Sequence, residues 1–336
     1  MKLFGVLPEK DLESLATSFL VDFQELKDVN LIVVGAAGFL GTWISTFLTF
    51  LQSNSKFSGT LTMVVRDPKK LNELIHPANA GQFRVVVSDT ISQESFCHLQ
   101  ESRTVIIFAA TNTSSSGLQI KSVNSKGIFL AERIIASLPA DLVTFVHLSS
   151  GGVYQSDSRQ LERIPANYQL RTSTTDDYLS EKLALENWTP TQHSKIAVVL
   201  RNPRLFAFYG PGLQLDRHFA IAEFMRRGLE GKTILIKGNQ SNLRSYLYPT
   251  DAIKQIFEQC RVSEPNYSQI GSANPISILS VAQVVAQEFN VEVEIDMPAS
   301  KGLNRDNYVP MDVPEIVEEN FVSGIERWGK WLRLGL

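Results

Sequence analysis

The chain alternates short apolar runs with longer amphipathic stretches. Residues 31–34 form a continuous apolar run, as a strand buried on both faces of a sheet requires. Comparable runs recur at 61–65, 83–87, 105–109, 142–148 and 196–200, with helical stretches such as 40–51 between them. This alternation predicts an α/β fold with a doubly wound parallel sheet. Residues 12–26 read as a short amphipathic helix ahead of the first strand. Beyond Gly210-Pro211-Gly212 the texture changes. Helices are expected at 219–229, 252–259 and 280–289, the last begun by Ser277 or Ser280, and a strand at 233–236. The division that follows is a helical extension over 1–29, a parallel-sheet α/β domain over 30–204 and a smaller lobe over 205–336. The lobe is interleaved and returns in part to the first domain.

Composition narrows the classes. A net charge of −3 gives no general pull toward nucleic acid or an anionic membrane. Two cysteines, Cys97 and Cys260, make neither a disulfide framework nor a metal site and suit a reducing, cytoplasmic setting. Glu9, Lys10, Asp11 and Glu13 do not suit a secretory signal. Residues 31–55 carry no charge and are long enough to cross a bilayer. The glycines inside the stretch and the strand–helix alternation after it favour a buried strand leading into a tightly packed helix, with no membrane partner.

Gly35-Ala36-Ala37-Gly38-Phe39-Leu40-Gly41 falls where that strand turns into that helix. Glycine there permits a tight turn, a close backbone approach to a pyrophosphate, and close helix–strand packing. The helix N-terminus then offers free N–H groups to the phosphates. The G-x-x-G-x-x-G spacing resembles the short-chain dehydrogenase/reductase superfamily, in particular its extended branch, and implies a Rossmann-type sheet with NADP or NAD as cofactor. Gly35, Gly38, Phe39, Leu40 and Gly41 are the implied phosphate contacts. Arg66, at the end of the second strand with Lys69 and Lys70 behind it, suits a 2′-phosphate and leans the reading toward NADP; Asp67 on the ribose is the NAD alternative. By the same resemblance Asp89 touches the adenine edge, and Ala109 and Ala110 line the cofactor.

Tyr178 and Lys182 are four apart and share one face of a helix. A nearby ammonium favours a phenolate, which can take a proton from a hydroxyl. Ser149-Ser150-Gly151-Gly152-Val153-Tyr154 resembles the Ser-Ser-x-x-Val-Tyr segment of sugar-nucleotide enzymes, and there Ser150 is the implied catalytic hydroxyl. Asn124 matches a supporting asparagine, Lys182 a ribose ligand of the cofactor. His147 reads as a satisfied core residue. Arg204 to Gly212 is similar to an Arg-x-x-Asn-x-Tyr-Gly-Pro segment with Ala207 in place of the asparagine. Arg244, Tyr248 and Asp251 resemble an Arg-x-x-x-Tyr-x-x-Asp segment whose arginine grips a substrate pyrophosphate. Arg204, Arg244 and Tyr248 are thus the implied substrate contacts. Asp216, Arg217 and His218 lie where relatives build the pocket, with no individual role assigned.

The resemblance covers about 30–286 and is to the NAD-dependent epimerase/dehydratase family, acting on nucleotide-activated sugars. Related dehydratases carry proton-transferring residues directly after the catalytic hydroxyl; here Gly151 and Gly152 stand in their place. That ranks a C4 epimerase first and a 4,6-dehydratase second, the latter requiring a carboxylate such as Asp176 or Asp177. An NADPH-dependent keto-sugar reductase and a non-catalytic dinucleotide sensor follow. Family habit also implies a homodimer through 120–136 and 177–188.

Overall fold

A computed structural model describes residues 2–75, 83–99, 103–110, 125–139, 142–190, 196–216, 219–264, 267–296, 305–314 and 318–335. Its centre is a six-stranded parallel sheet of β1 (Asn30–Val34), β2 (Leu61–Val65), β3 (Arg84–Val87), β4 (Thr104–Phe108), β5 (Leu142–His147) and β6 (Ala197–Arg201). The strand order is β3-β2-β1-β4-β5-β6. That is the dinucleotide-binding arrangement, with its crevice where the order reverses between β1 and β4. The strands β1, β2 and β4 are buried at every residue, which is why their sequences are apolar without alternation.

Nine helices surround the sheets among the described residues: α1 (Glu9–Asp22), α2 (Phe39–Ser53), α3 (Pro68–Leu74), α4 (Lys126–Ala136), α5 (Asp177–Glu186), α6 (Ala220–Leu229), α7 (Pro249–Gln259), α8 (Ile278–Phe289) and α9 (Phe321–Leu332). The uncharged stretch 31–55 is β1 followed by α2. Helix α2 is buried over Gly41–Leu51 because α1 and α7 cover the side that the sheet leaves open. Phe19, Phe47 and Phe257, one from each helix, meet edge to face or tilted at 5.5–5.9 Å. Among the described residues no helix is long and apolar enough to cross a membrane.

The expected helix at 12–26 begins earlier, at Glu9, with Glu9 and Asp11 in its first turn where the helix dipole favours acids, and yields to a 3₁₀ turn at Gln24–Leu26. The C-terminal region builds its own core from α6, α8 and α9, with Trp328 fully buried. Segments of it also return to the sheet: Leu247, Ile253, Phe257 and Ile270 join the core under α2. Ser149–Ser150, just beyond β5, pairs in parallel with Arg204–Leu205, which pairs with Gln269–Ile270. This small sheet fixes the backbone around Ser150.

Candidate active site

The glycine loop has the geometry that a pyrophosphate cradle needs. Gly35 sits at φ +83°, and a Cβ on it would lie 2.8 Å from the Ala110 nitrogen. A Cβ on Gly41 would lie 2.1 Å from the Gly35 carbonyl oxygen, so the helix can start this close to the strand only with glycine there. Gly38 caps α2 without a side-chain hydrogen bond, leaving the amides of Phe39, Leu40 and Gly41 directed past the end of the sheet. Ala109 and Ala110 follow β4 on the other side of the crevice. Arg66 is exposed at the end of β2, whereas Asp67 is spent on α3, its Oδ1 accepting the Lys69 N–H at 2.9 Å. Asp89 is exposed just past β3 and accepts from Ser88 at 3.2 Å. The residues present fit a nicotinamide dinucleotide laid across β1 and β4.

Ser150, Tyr178 and Lys182 come together at the same end of the sheet. Asp176 caps α5, its Oδ1 accepting the Leu179 N–H at 3.0 Å, and so fixes the turn that carries Tyr178. The Tyr178 hydroxyl lies near enough to Ser150 for that hydroxyl to favour its phenolate. The buried Lys182 ammonium lies 5.8 Å from the Tyr178 ring centroid and donates to the Leu148 carbonyl at 2.5 Å. Ser149 Oγ is turned the other way and donates to the Glu186 carboxylate. Ser150 Oγ instead accepts the Gly152 N–H at 3.1 Å and lies 3.5 Å from the Tyr308 hydroxyl.

The electrostatics differ from the simple expectation for a Tyr–Lys pair. Burial pushes Tyr178 up to about 12, with Tyr308 and Asp176 pushing the same way and the Ser150 hydrogen bond opposing. Burial also pulls Lys182 down to about 7, against the pull of Glu181 and Glu186. Burial thus works against the charged form of both partners, the phenolate and the ammonium alike. His147, the last residue of β5, is buried and pulled down to about 3 by desolvation, with the Lys182 charge adding to it. Its Nδ1 meets Asn202 at 3.0 Å, but its Nε2 has no partner among the described residues, so the ring is only half satisfied.

Two expected substrate contacts are turned inward. Arg204 donates from Nη2 and Nε to Glu186, at 2.8 Å and 3.2 Å, and from Nη1 to the Tyr154 hydroxyl and the Ala166 carbonyl. The guanidinium holds α5 to the small sheet with four of its five N–H donors engaged inside the fold. Tyr248 is 1% exposed, and its hydroxyl donates to Asp11 Oδ2 at 2.7 Å, with Asp11 also paired to Arg327 at 2.5 Å. Both side chains are structural here. Asp251 is likewise buried, paired with Lys254 and accepting the Glu319 N–H. Asn124, Arg217 and His218 lie outside the described residues, and Asp216 is exposed.

Arg244 does face the site, in company that sequence motifs did not point to. Its Nη2 lies 2.9 Å from Asp306 Oδ2. Tyr308 stacks on Phe206 at 4.6 Å between centroids and carries the Arg159 guanidinium 4.0 Å above its ring. A Cβ on Gly151 would lie 2.9 Å from both the Tyr308 hydroxyl and the Phe206 ring, so these aromatics occupy the space that a side chain at 151 would need. Arg171 reaches in from the other side, its Nε donating to the Gly152 carbonyl at 3.0 Å.

A parallel sheet in the order 3-2-1-4-5-6, a glycine cradle at its crevice and a Ser–Tyr–Lys set beside it define a dinucleotide-binding protein of the short-chain dehydrogenase type. The sequence profile of the NAD dependent epimerase/dehydratase family matches residues 31–264, and the chain belongs to that family of enzymes. Over 105 residues it is 22% identical to UDP-glucuronic acid decarboxylase 3 of Arabidopsis thaliana, covering 31% of each chain. It is 22% identical over 278 residues to the trifunctional UDP-glucose 4,6-dehydratase/UDP-4-keto-6-deoxy-D-glucose 3,5-epimerase/UDP-4-keto-L-rhamnose-reductase of the same plant, covering 79% of this chain and 40% of that one. The matches therefore span less than half the length of these relatives. The UDP-glucuronic acid 4-epimerase from Bacillus cereus, solved with UDP-glucuronic acid and NAD, superposes with a TM-score of 0.67 at 16% identity, covering 91% of this chain and 100% of that one.

Proposed function

We propose that this protein is a nucleotide-sugar epimerase that works by transient oxidation at C4 of the sugar. Gly35, Gly38, Phe39, Leu40 and Gly41 hold the dinucleotide pyrophosphate, Asp89 the adenine edge, Ala109 and Ala110 one wall, and Lys182 the nicotinamide ribose. The bound nicotinamide supplies a hydride acceptor and donor. Arg66 favours NADP over NAD: it is exposed where a 2′-phosphate would sit, and Asp67 is engaged in capping α3.

Tyr178 takes the proton of the C4 hydroxyl and later returns one to the C4 oxygen. Burial works against its phenolate. The Ser150 hydrogen bond already favours the phenolate. Ser150 also donates to the C4 oxygen, and the Gly152 amide fixes its position at 3.1 Å.

The observation that carries the choice of reaction is the glycine pair after Ser150. Elimination of water from C5 and C6 needs an acid and a base beside those carbons. Gly151 and Gly152 offer neither, and Tyr308 and Phe206 fill the space above Gly151. Asp176 is committed to its cap and Asp177 is exposed on the first turn of α5. The absence of such groups in this segment favours reduction of the 4-keto sugar from the opposite face.

The test is to incubate the purified protein with nucleotide sugars and analyse products by chromatography and mass spectrometry. A stereoisomer of unchanged mass is expected; a product lighter by water or by carbon dioxide would contradict the reading. We further place the protein in the cytoplasm as a homodimer joined through α4 and α5, where Phe129 is 63% exposed.

A further inference from the structure

A second phenol stands beside Ser150, and no step of the C4 chemistry uses it. The Tyr308 hydroxyl lies 3.5 Å from Ser150 Oγ, and a Cβ on Gly151 would meet it at 2.9 Å. The fold holds it there. The Tyr308 N–H donates to the Leu243 carbonyl at 2.9 Å, and the Tyr308 carbonyl accepts the Ser245 N–H at 3.2 Å. Its ring packs on Phe206 at 4.6 Å between centroids and carries the Arg159 guanidinium at 4.0 Å. The hydroxyl also lies 3.2 Å from the Leu205 carbonyl, to which it can only donate. Toward Ser150 it is therefore free to accept.

Ser150 thus has two phenols within reach. Its hydroxyl favours the phenolate of each, while a charge on Tyr308 disfavours one on Tyr178. The pair therefore carries one negative charge more readily than two. The surroundings of Tyr308 suit it to hold that charge at rest. Burial opposes its phenolate, but Ser150, Arg159, Arg244 and the Gly152 amide all favour it. Of the groups acting on Tyr178, Ser150 alone favours the phenolate, against burial, Tyr308 and Asp176. A proton can pass between the phenols in two hydroxyl steps. Ser150 gives its proton to the Tyr308 phenolate and takes the Tyr178 proton in its place. Tyr308 ends as the neutral phenol and Tyr178 as the phenolate, with no net change of charge. Tyr178 is then the base that a C4 hydroxyl requires.

We propose that Tyr308 is a positioning residue that acts through Ser150, a second phenol that takes up the Tyr178 proton so that Tyr178 can serve as the base. This rests on the nucleotide-sugar reading above, and the experiment separates the two. Cofactor-loaded full-length protein is assayed with UDP-glucose, UDP-N-acetylglucosamine and UDP-glucuronic acid, and the sugar turned over fastest is used throughout. Tyr308→Phe keeps the ring on Phe206 and under Arg159 and removes only the hydroxyl. It should lower kcat by about 10²-fold, the lower end of what one acid–base group contributes, and leave KM unchanged. Incorporating 3-fluorotyrosine at 308 restores a hydroxyl, and a more acidic one. It should recover kcat, and the acid limb of the pH profile should move to lower pH, because the phenolate that receives the proton forms earlier. An unchanged kcat in Tyr308→Phe, a loss carried by KM, or a fluorotyrosine profile that superposes on the wild type overturns the role of Tyr308. Tyr178→Phe tells the two readings apart. If it abolishes turnover while Tyr308→Phe does not, only the role of Tyr308 falls; if it turns over normally, or no sugar is converted, both readings fall.

Discussion

Tyr248→Phe separates a structural from a substrate-binding role for a residue that motif comparison places in the pocket. The change removes one hydroxyl. The ring stays, with its packing against Tyr209 at 5.5 Å and Trp43 at 6.3 Å, and so does the Arg327 guanidinium 4.7 Å from its centroid. What is lost is the 2.7 Å hydrogen bond to Asp11, whose side chain is 0% exposed. Asp11 keeps its ion pair with Arg327 at 2.5 Å, so the charge is not orphaned, but one lone pair loses its donor in a site closed to water. A hydrogen bond to a charged group is worth about 1.5–3 kcal/mol. With an unfolding entropy of about 2.1 cal/mol/K per residue, a loss of about 2 kcal/mol lowers Tm by roughly 3 °C in a chain of this length. Calorimetry should show that shift, and steady-state kinetics should show an unchanged KM for the nucleotide sugar. An unchanged Tm with KM raised tenfold or more would refute the structural role and return Tyr248 to the substrate.

Tyr178→Phe should fold and retain dinucleotide, read by fluorescence titration, while turnover falls by about 10²–10⁴, the usual worth of one acid–base group; near-normal turnover would remove it from the mechanism. Arg66→Ala should weaken NADP much more than NAD in the same titration, and equal losses would show that Arg66 does not select the cofactor. His147 stays neutral in the fold down to about 3, while the unfolded chain takes up the proton near 6.5. The unfolded state therefore binds more protons in that window, and His147 costs stability progressively as pH falls below 6.5. At pH 5 the cost is about 2 kcal/mol, so urea unfolding of His147→Gln should lose that much less stability between pH 7 and pH 5 than the wild type does. Identical pH dependence in the two would contradict the burial of a neutral ring.

The sheet is legible in sequence because burial on both faces leaves continuous apolar runs, each within a residue or so of the observed strand. The glycine loop and the Tyr178–Lys182 pair are legible because local geometry alone brings each together. Arg204 and Tyr248 mislead for the opposite reason. Their partners, Glu186 and Asp11, lie 18 and 237 residues away, and no local pattern shows that a guanidinium or a phenol will be consumed by them. Tyr308, Arg159 and Arg171 belong to no motif and reach the site because Tyr154 is bridged to Leu170, Ile164 to Pro310 and Arg244 to Tyr308. Helix α9 is hard to read from sequence although Ile325, Trp328, Trp331 and Leu332 are spaced for one buried face. Gly324 and Gly329 weaken the local helical signal, and the first is required by the close approach of the Tyr209 hydroxyl.

The central claim is that C4 is oxidised and reduced again without elimination at C5 and C6. It is tested most directly by running the reaction in deuterated water with the nucleotide sugar that the protein converts, and locating deuterium by NMR and mass spectrometry. The account predicts the C4 stereoisomer, equal in mass to the substrate, with no deuterium at C5. A product lighter by one water and carrying deuterium at C5 would contradict it, and would mean that a carboxylate outside the Ser150–Gly152 segment performs the elimination.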